Sequence, residues 1–135
     1  MLRQAASRLK RCVRETDTVT RLGGDEFTII LSQIRSARDP ESAALNVVNA
    51  LAQPFAIGGA EHLVSASIGI AVYPEDGRSA DELVRNADTA MYRAKDSGGN
   101  SFELCTPELT AAAVERLELQ NGLRLALDRN EFLLH

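Results

Sequence analysis

Two short runs rich in β-branched residues, DTVTRL at 17–22 and FTIILS at 27–32, are separated only by Gly23, Gly24, Asp25 and Glu26. Runs of this composition read as strands, and so short a glycine-bearing link closes them into a hairpin. A parallel pairing would need a crossover of a dozen or more residues, which four residues cannot supply. The alternation within the second run turns Phe27, Ile29 and Leu31 toward a core.

The flanking segments supply that core. Leu2, Ala6, Leu9 and Val13 recur at steps of three and four, the period of an amphipathic helix that has Arg3, Lys10 and Arg11 near its wet side and no capping residue in front. Asp39, Pro40 and Glu41 read as an N-cap, a first-turn proline and an acid at the positive helix end. The apolar stripe Ala44, Val47, Val48, Leu51 continues that helix to Gln53-Pro54. From His62 to Tyr73, Val64, Ala66, Ile68, Ile70 and Val72 alternate with Ser65, Ser67, Gly69 and Ala71, which predicts a strand with a neighbour packed closely on its small face.

Ser79 and Glu82 have the spacing of a capping box, and Leu83, Ala87, Ala90, Met91 and Ala94 follow along one helical face until Gly98-Gly99 ends it. A short strand is expected at Ser101 to Leu104. Thr106-Pro107-Glu108 then opens another helix, with Leu109, Ala113, Leu117 and Leu127 at near-helical intervals. The order helix, hairpin, helix, strand, helix, strand, helix predicts an α+β fold with a mainly antiparallel sheet and packed helices. There is no internal repeat or low-complexity segment.

Composition narrows the function classes. The chain is long enough, at 135 residues with 44% apolar content, for one domain with a real core. Its net charge of −4 argues against a nucleic-acid-binding surface, though a local basic pocket remains compatible. Cys12 and Cys105 lack the spacing of a zinc site or a disulfide framework, which fits a reducing cytosol and a cytoplasmic location. No apolar run reaches the roughly 20 residues of a membrane span, and the Arg-rich opening resembles a transit peptide only faintly. His62 and His135 have no partner at ligand or base spacing, and Tyr73 and Tyr92 read as packing residues.

The hairpin tip admits two readings. A plain tight turn uses glycine for positive φ and acids for solubility. Alternatively, two residues without Cβ admit a nucleotide close to the backbone, while adjacent carboxylates hold a hard cation against phosphate charge. RLGGDEFTIIL at 21–31, SASIGIAVYPEDG at 65–77 and LVRNADTAMYRAKDSGGN at 83–100 decide between them. In that order and spacing they resemble the GGDEF family of diguanylate cyclases over residues 2 to about 104.

The resemblance implies a nucleotide-cyclase palm-like fold, Mg2+ or Mn2+ as cofactor, and a homodimer in which two facing domains condense two GTP into cyclic di-GMP. It implies Asp25 as a metal-ligating and catalytic carboxylate, and Glu26 as a second acid assisting the metal or the attacking hydroxyl. Gly23 and Gly24 would be the nucleotide-adjacent backbone, and Lys95 a phosphate contact. The family's usual arginine four residues after that lysine is replaced by Gly99, which should weaken triphosphate binding. Arg14 and Asp17 form an RxxD element five residues before Gly23, similar to the family's inhibitory site for its own product. A surface pairing at a helix end is the plainer reading of those two.

The family's first half, which carries a further metal-binding aspartate and the guanine-recognition residues, does not precede Met1 here. Residues 1–104 are therefore expected to be a partial GGDEF domain, inactive as a cyclase alone. Residues 105–135 resemble the linker helix and first strand of an EAL phosphodiesterase domain. Two other functions remain open: a degenerate module that binds cyclic di-GMP or GTP and regulates an adjoining EAL domain, and a structural connector between the two domains.

Overall fold

A computed structural model of the chain describes residues 1–112 together with Glu115, Glu118 and Leu119. Residues 107–112 are helical, where Thr106-Pro107-Glu108 predicts a helix to open. Glu115, Glu118 and Leu119 are helical too, and the other residues of the expected linker and the expected EAL strand lie outside the described residues.

Helix α1 (Leu2–Cys12) has no side-chain cap, as its sequence predicts, and buries Leu9. It leads to the hairpin of β1 (Thr18–Gly23) and β2 (Glu26–Ile30). Helix α2 (Arg38–Leu51) buries Pro40, Ala44, Val47 and Val48 and packs against α1. A second hairpin follows, β3 (Phe55–Ile57) with β4 (Ala60–His62), then β5 (Ser67–Ile70), α3 (Ala80–Asp96) and β6 (Ser101–Leu104). Leu9, Ala44, Val47, Val48, Phe55, Ala90 and Ala94 form the core, so α2 and α3 bury part of the predicted stripes, with Leu51, Leu83, Ala87 and Met91 half-buried. The architecture is α+β.

Three departures from the sequence reading have physical causes. The alternation from His62 to Tyr73 is not one strand: Ala60–His62 pairs with β3, Ser67–Ile70 pairs with β6, and Leu63 between them is 78% exposed. Alternation assigns faces, whereas a strand exists only where a partner meets its backbone. The β5–β6 pair is parallel, which the intervening α3 makes possible as the crossover, while the other two pairs are antiparallel. Asp39 lies inside the first turn of α2 rather than capping it, and its carboxylate accepts from the Arg35 N–H (2.9 Å) and the Ser36 hydroxyl (2.9 Å). In addition, Tyr73 and Tyr92, read as packing residues, are 66% and 51% exposed.

The small face of β5 does what its composition predicts. A Cβ placed on Gly69 would fall onto the main chain of α3, inside contact distance of the Ala87 carbonyl and the Met91 amide. Helix and strand therefore meet backbone to backbone. Ser79 caps α3 by accepting from the Glu82 N–H at 3.2 Å, and Glu82 returns to accept from the Arg78 N–H at 2.7 Å. The turn before α3 is tied down by Asn86, which donates to the Asp76 carbonyl at 2.7 Å.

Gly69→Ala is expected to lower stability in urea unfolding by about 1–3 kcal/mol, because main chain cannot move aside as a side-chain tip can. Gly23→Ala is the contrast: its Cβ would meet nothing within 4 Å, so a change of only about 0.5 kcal/mol is expected.

Candidate functional site

The β1–β2 ladder runs from Thr18 opposite Ile30 to Gly23 opposite Glu26, with a register irregularity between Arg21 and Gly23. Gly24 takes φ +49°, a conformation glycine adopts without the clash of a Cβ. Neither Gly23 nor Gly24 would have a neighbour within 4 Å of a Cβ, so the space beside the tip is open. Asp25 and Glu26 are both exposed. Side by side on a glycine turn, they form a small anionic edge to which a phosphorylated ligand could draw close only with a cation between them.

One residue at the tip escaped the sequence reading. Arg21 reaches along β1 and donates to the Gly24 carbonyl from both Nε (2.9 Å) and Nη2 (2.6 Å). A basic residue two positions before a glycine pair was the only local hint.

At the base of the hairpin, Asp17 is fully engaged. Its Oδ2 accepts from the Arg14 N–H at 2.9 Å and its Oδ1 from the Ser32 N–H at 3.1 Å, while the Asp17 N–H donates to the Arg14 carbonyl at 3.0 Å. The Arg14 guanidinium donates to the Gln33 carbonyl at 3.2 Å, and the Ser32 hydroxyl to the Thr16 carbonyl at 2.9 Å. Arg14 and Asp17 thus form a clasp between the end of α1 and the exit of β2, tighter than a simple surface ion pair. Ser32 and Gln33, its other half, carried no recognisable sequence signal.

Backbone N–H groups of Arg14 and Ser32 hold the Asp17 carboxyl below the usual aspartate range. The Arg35 N–H, with the Ser36 hydroxyl, does the same for Asp39.

Lys95 is exposed in the last turn of α3. That helix packs on β5 and β6, whereas the hairpin packs on α1, so the lysine and the Asp25–Glu26 pair belong to different substructures. Gly99 takes φ +72° and donates its N–H to the Ala94 carbonyl at 3.1 Å, within a left-handed run of Gly98, Gly99 and Asn100 that ends the helix. Glycine at that position suits the turn.

The donor set suits a hard cation in kind, since Mg2+ is commonly held by one or two carboxylates completed by phosphate oxygens and water. Among the described residues no third acid, histidine or cysteine joins Asp25 and Glu26. No described helix is long and apolar enough to cross a membrane.

Residues 1–101 match the family model described as diguanylate cyclase, GGDEF domain. The chain is 44% identical over its whole length to MucR of Pseudomonas aeruginosa, named a bifunctional diguanylate cyclase/cyclic di-GMP phosphodiesterase, and covers 20% of that protein. It spans about a fifth of the length of the first curated relatives it matches. Among solved structures, an EAL/GGDEF domain protein from M. capsulatus is 45% identical with a TM-score of 0.74, over 78% of this chain and 68% of that one. An N-terminally shortened TpbB from Pseudomonas aeruginosa, comprising only the GGDEF domain, is 34% identical with a TM-score of 0.80, over 83% and 66% respectively.

The clasp carries a pH dependence. Asp17 and Asp39 bind protons less readily folded than unfolded, so the stability they supply is complete above the ordinary aspartate range and drains away as pH falls through their lowered folded values. Thermal unfolding followed from pH 7 into the acid range should show that loss, and Asp17→Asn should flatten its share of the acid limb.

Proposed function

The chain belongs to the GGDEF-domain family of diguanylate cyclases, and we propose that its Gly23–Glu26 hairpin is the catalytic edge of a protein that condenses two GTP into cyclic di-GMP. The observation that carries this reading is the open turn itself: two glycines with free space beside them, continuous with two exposed carboxylates. A triphosphate can lie along such a backbone without meeting a side chain, and the acids stand where phosphate charge would need a counter-ion. A bound Mg2+ or Mn2+, held by Asp25 and Glu26, would supply Lewis-acid stabilisation of that charge.

In this reading Glu26 accepts the proton from the 3′-hydroxyl of one GTP as its oxygen bonds to the α-phosphorus of the other. The α–β phosphoanhydride bond breaks and pyrophosphate leaves; the same exchange in the reverse sense closes the ring. Each hairpin serves one GTP, so two copies must face each other, and the homodimer follows from the stoichiometry. Lys95 contributes a mobile point charge for the phosphates once substrate spans the two substructures. Arg14 and Asp17 form the product site, with Asp17 already fixed by its backbone donors and the exposed Arg14 guanidinium, which donates from Nη1 to the Gln33 carbonyl, keeping further donors for a ligand.

A second reading has a specific observation behind it. Gly99 stands where the family carries an arginine, while the Arg14–Asp17 clasp is intact. A protein so built would bind cyclic di-GMP or GTP and set the activity of an adjoining EAL phosphodiesterase domain, whose linker would begin at about residue 105. Residues 1–104 would then be the sensing unit.

The two readings separate in the natural protein that carries this chain, assayed for cyclic di-GMP formation from GTP and Mg2+. Under the cyclase reading Glu26→Gln lowers kcat by about 10²–10⁴-fold, the range of a lost general base, and Arg14→Ala relieves product inhibition without lowering kcat. Turnover indifferent to Glu26 would sink the cyclase reading. Absence of turnover together with Arg14-dependent binding of cyclic di-GMP would establish the sensor instead.

A further inference from the structure

One peptide unit of the candidate site, the one joining Gly24 to Asp25, lies outside the β1–β2 ladder, whose last pair is Gly23 with Glu26. Its orientation is the free choice of a two-residue turn. Positive φ at the first central residue alone is the II′ pattern, and positive φ at both is the I′ pattern. Here Gly24 is at +49° and Asp25 is not among the positive-φ residues, which is the II′ pattern. Packing does not impose it, because no atom lies within 4 Å of where a Cβ on Gly23 or Gly24 would stand.

Arg21 does. Its Nε and Nη2 converge on the Gly24 carbonyl oxygen at 2.9 and 2.6 Å. In a planar trans peptide the carbonyl and the next N–H point in opposite directions, so fixing that oxygen directs the Asp25 N–H away from Arg21. It also fixes the peptide plane from which the Asp25 side chain departs. An arginine suits the task because two donors of one rigid fork reach a single acceptor, whereas a lysine offers a rotating point charge.

We propose that Arg21 is a positioning residue that selects the turn type at the Gly23–Glu26 site, and thereby aims the Asp25 amide at the phosphates of a nucleoside triphosphate and the Asp25 carboxylate at the cation that would neutralise them. The role deepens the cyclase reading and rests on it for the ligand. The turn selection itself stands on the geometry alone. A solvated strand cation, the plain alternative, would leave the turn indifferent to its removal.

The decisive experiment is solution NMR on the 135-residue chain, comparing wild type with Arg21→Gln and Arg21→Lys. Wild type should give a strong Gly24 Hα to Asp25 amide NOE and a weak amide-to-amide NOE between the same residues, as II′ geometry requires. In Arg21→Gln the amide-to-amide NOE should rise as the flipped peptide gains about tenfold in relative population, the scale of a lost hydrogen bond from a charged donor. Arg21→Lys should fall between the two, and because Arg21 is exposed the fold should survive both changes. An unchanged NOE pattern in Arg21→Gln, or an I′ pattern in wild type, overturns the proposal.

Two further measurements keep this apart from the cyclase reading. In Mn2+ titration, line broadening at Asp25 and Glu26 should remain in all three proteins. In the natural protein, Arg21→Gln should lower kcat about tenfold with KM nearly unchanged, as expected when only transition-state alignment is lost. If wild type shows no broadening, the metal-site reading fails while the NOE comparison still decides the role of Arg21. If KM rises in step with the loss of kcat/KM and kcat holds, Arg21 binds ligand directly, and the positioning role is wrong.

Discussion

The guanidinium of Arg8 is the joint on which the placement of the other elements depends. Helix α2 has no basic residue in its last turn, yet carbonyls at and just beyond its C-terminal end lack intrahelical donors. Arg8, from α1, donates to those of Ala50 (2.9 Å), Gln53 (2.6 Å) and Pro54 (2.6 Å). It also lies 3.8 Å from the centroid of the Phe55 ring, which is 1% exposed. A cation at the negative end of a helix, over an aromatic face, is favourable on both counts. Since the β1–β2 hairpin packs on α1 and α2 packs on β5 and β6, this contact relates the acidic tip to the rest of the molecule.

Legibility in the sequence followed the range of the interaction. The first hairpin, the cap of α3 and the glycine stop at 98–99 are written within a few residues and appear where the pattern puts them. The tight approach at Gly69 was also readable, because a run of small residues on one strand face has few other uses. Pairing direction and strand limits were not. Whether residues 60–70 make one strand or two depends on β3 and β6, which lie on either side in sequence. Arg8 reads as one more charge on an amphipathic helix, and nothing within reach of a local pattern says that it caps a helix 42 residues away.

The candidate site divides along the same line. Asp25 and Glu26 are adjacent in sequence and therefore adjacent in space whatever the rest of the chain does. Arg14 and Asp17 lie one turn apart, yet the clasp they make needs Ser32 and Gln33 on the far side of the hairpin. Lys95 depends on tertiary packing altogether, and in the described structure it sits on a different substructure from the acids. Asp17 braces the base of the hairpin and Asp39 the turn that enters α2, and both carboxyls are held below the aspartate range. Perturbation here marks a structural joint, a reminder that shifted acidity identifies strongly engaged groups before it identifies reactive ones.

The meeting of Gly69 with the main chain of α3 has an evolutionary side. Where two elements are spaced by side chains, each exchange of a leucine for a valine shifts them slightly, and drift accumulates as displacement. Here the spacer is peptide backbone, whose dimensions are common to every residue. A lineage can therefore vary Ile68 or Ile70, on the opposite face of β5, without altering how far α3 stands from the strand. The position of the helix that carries Lys95 is thereby insulated from most of the sequence change around it.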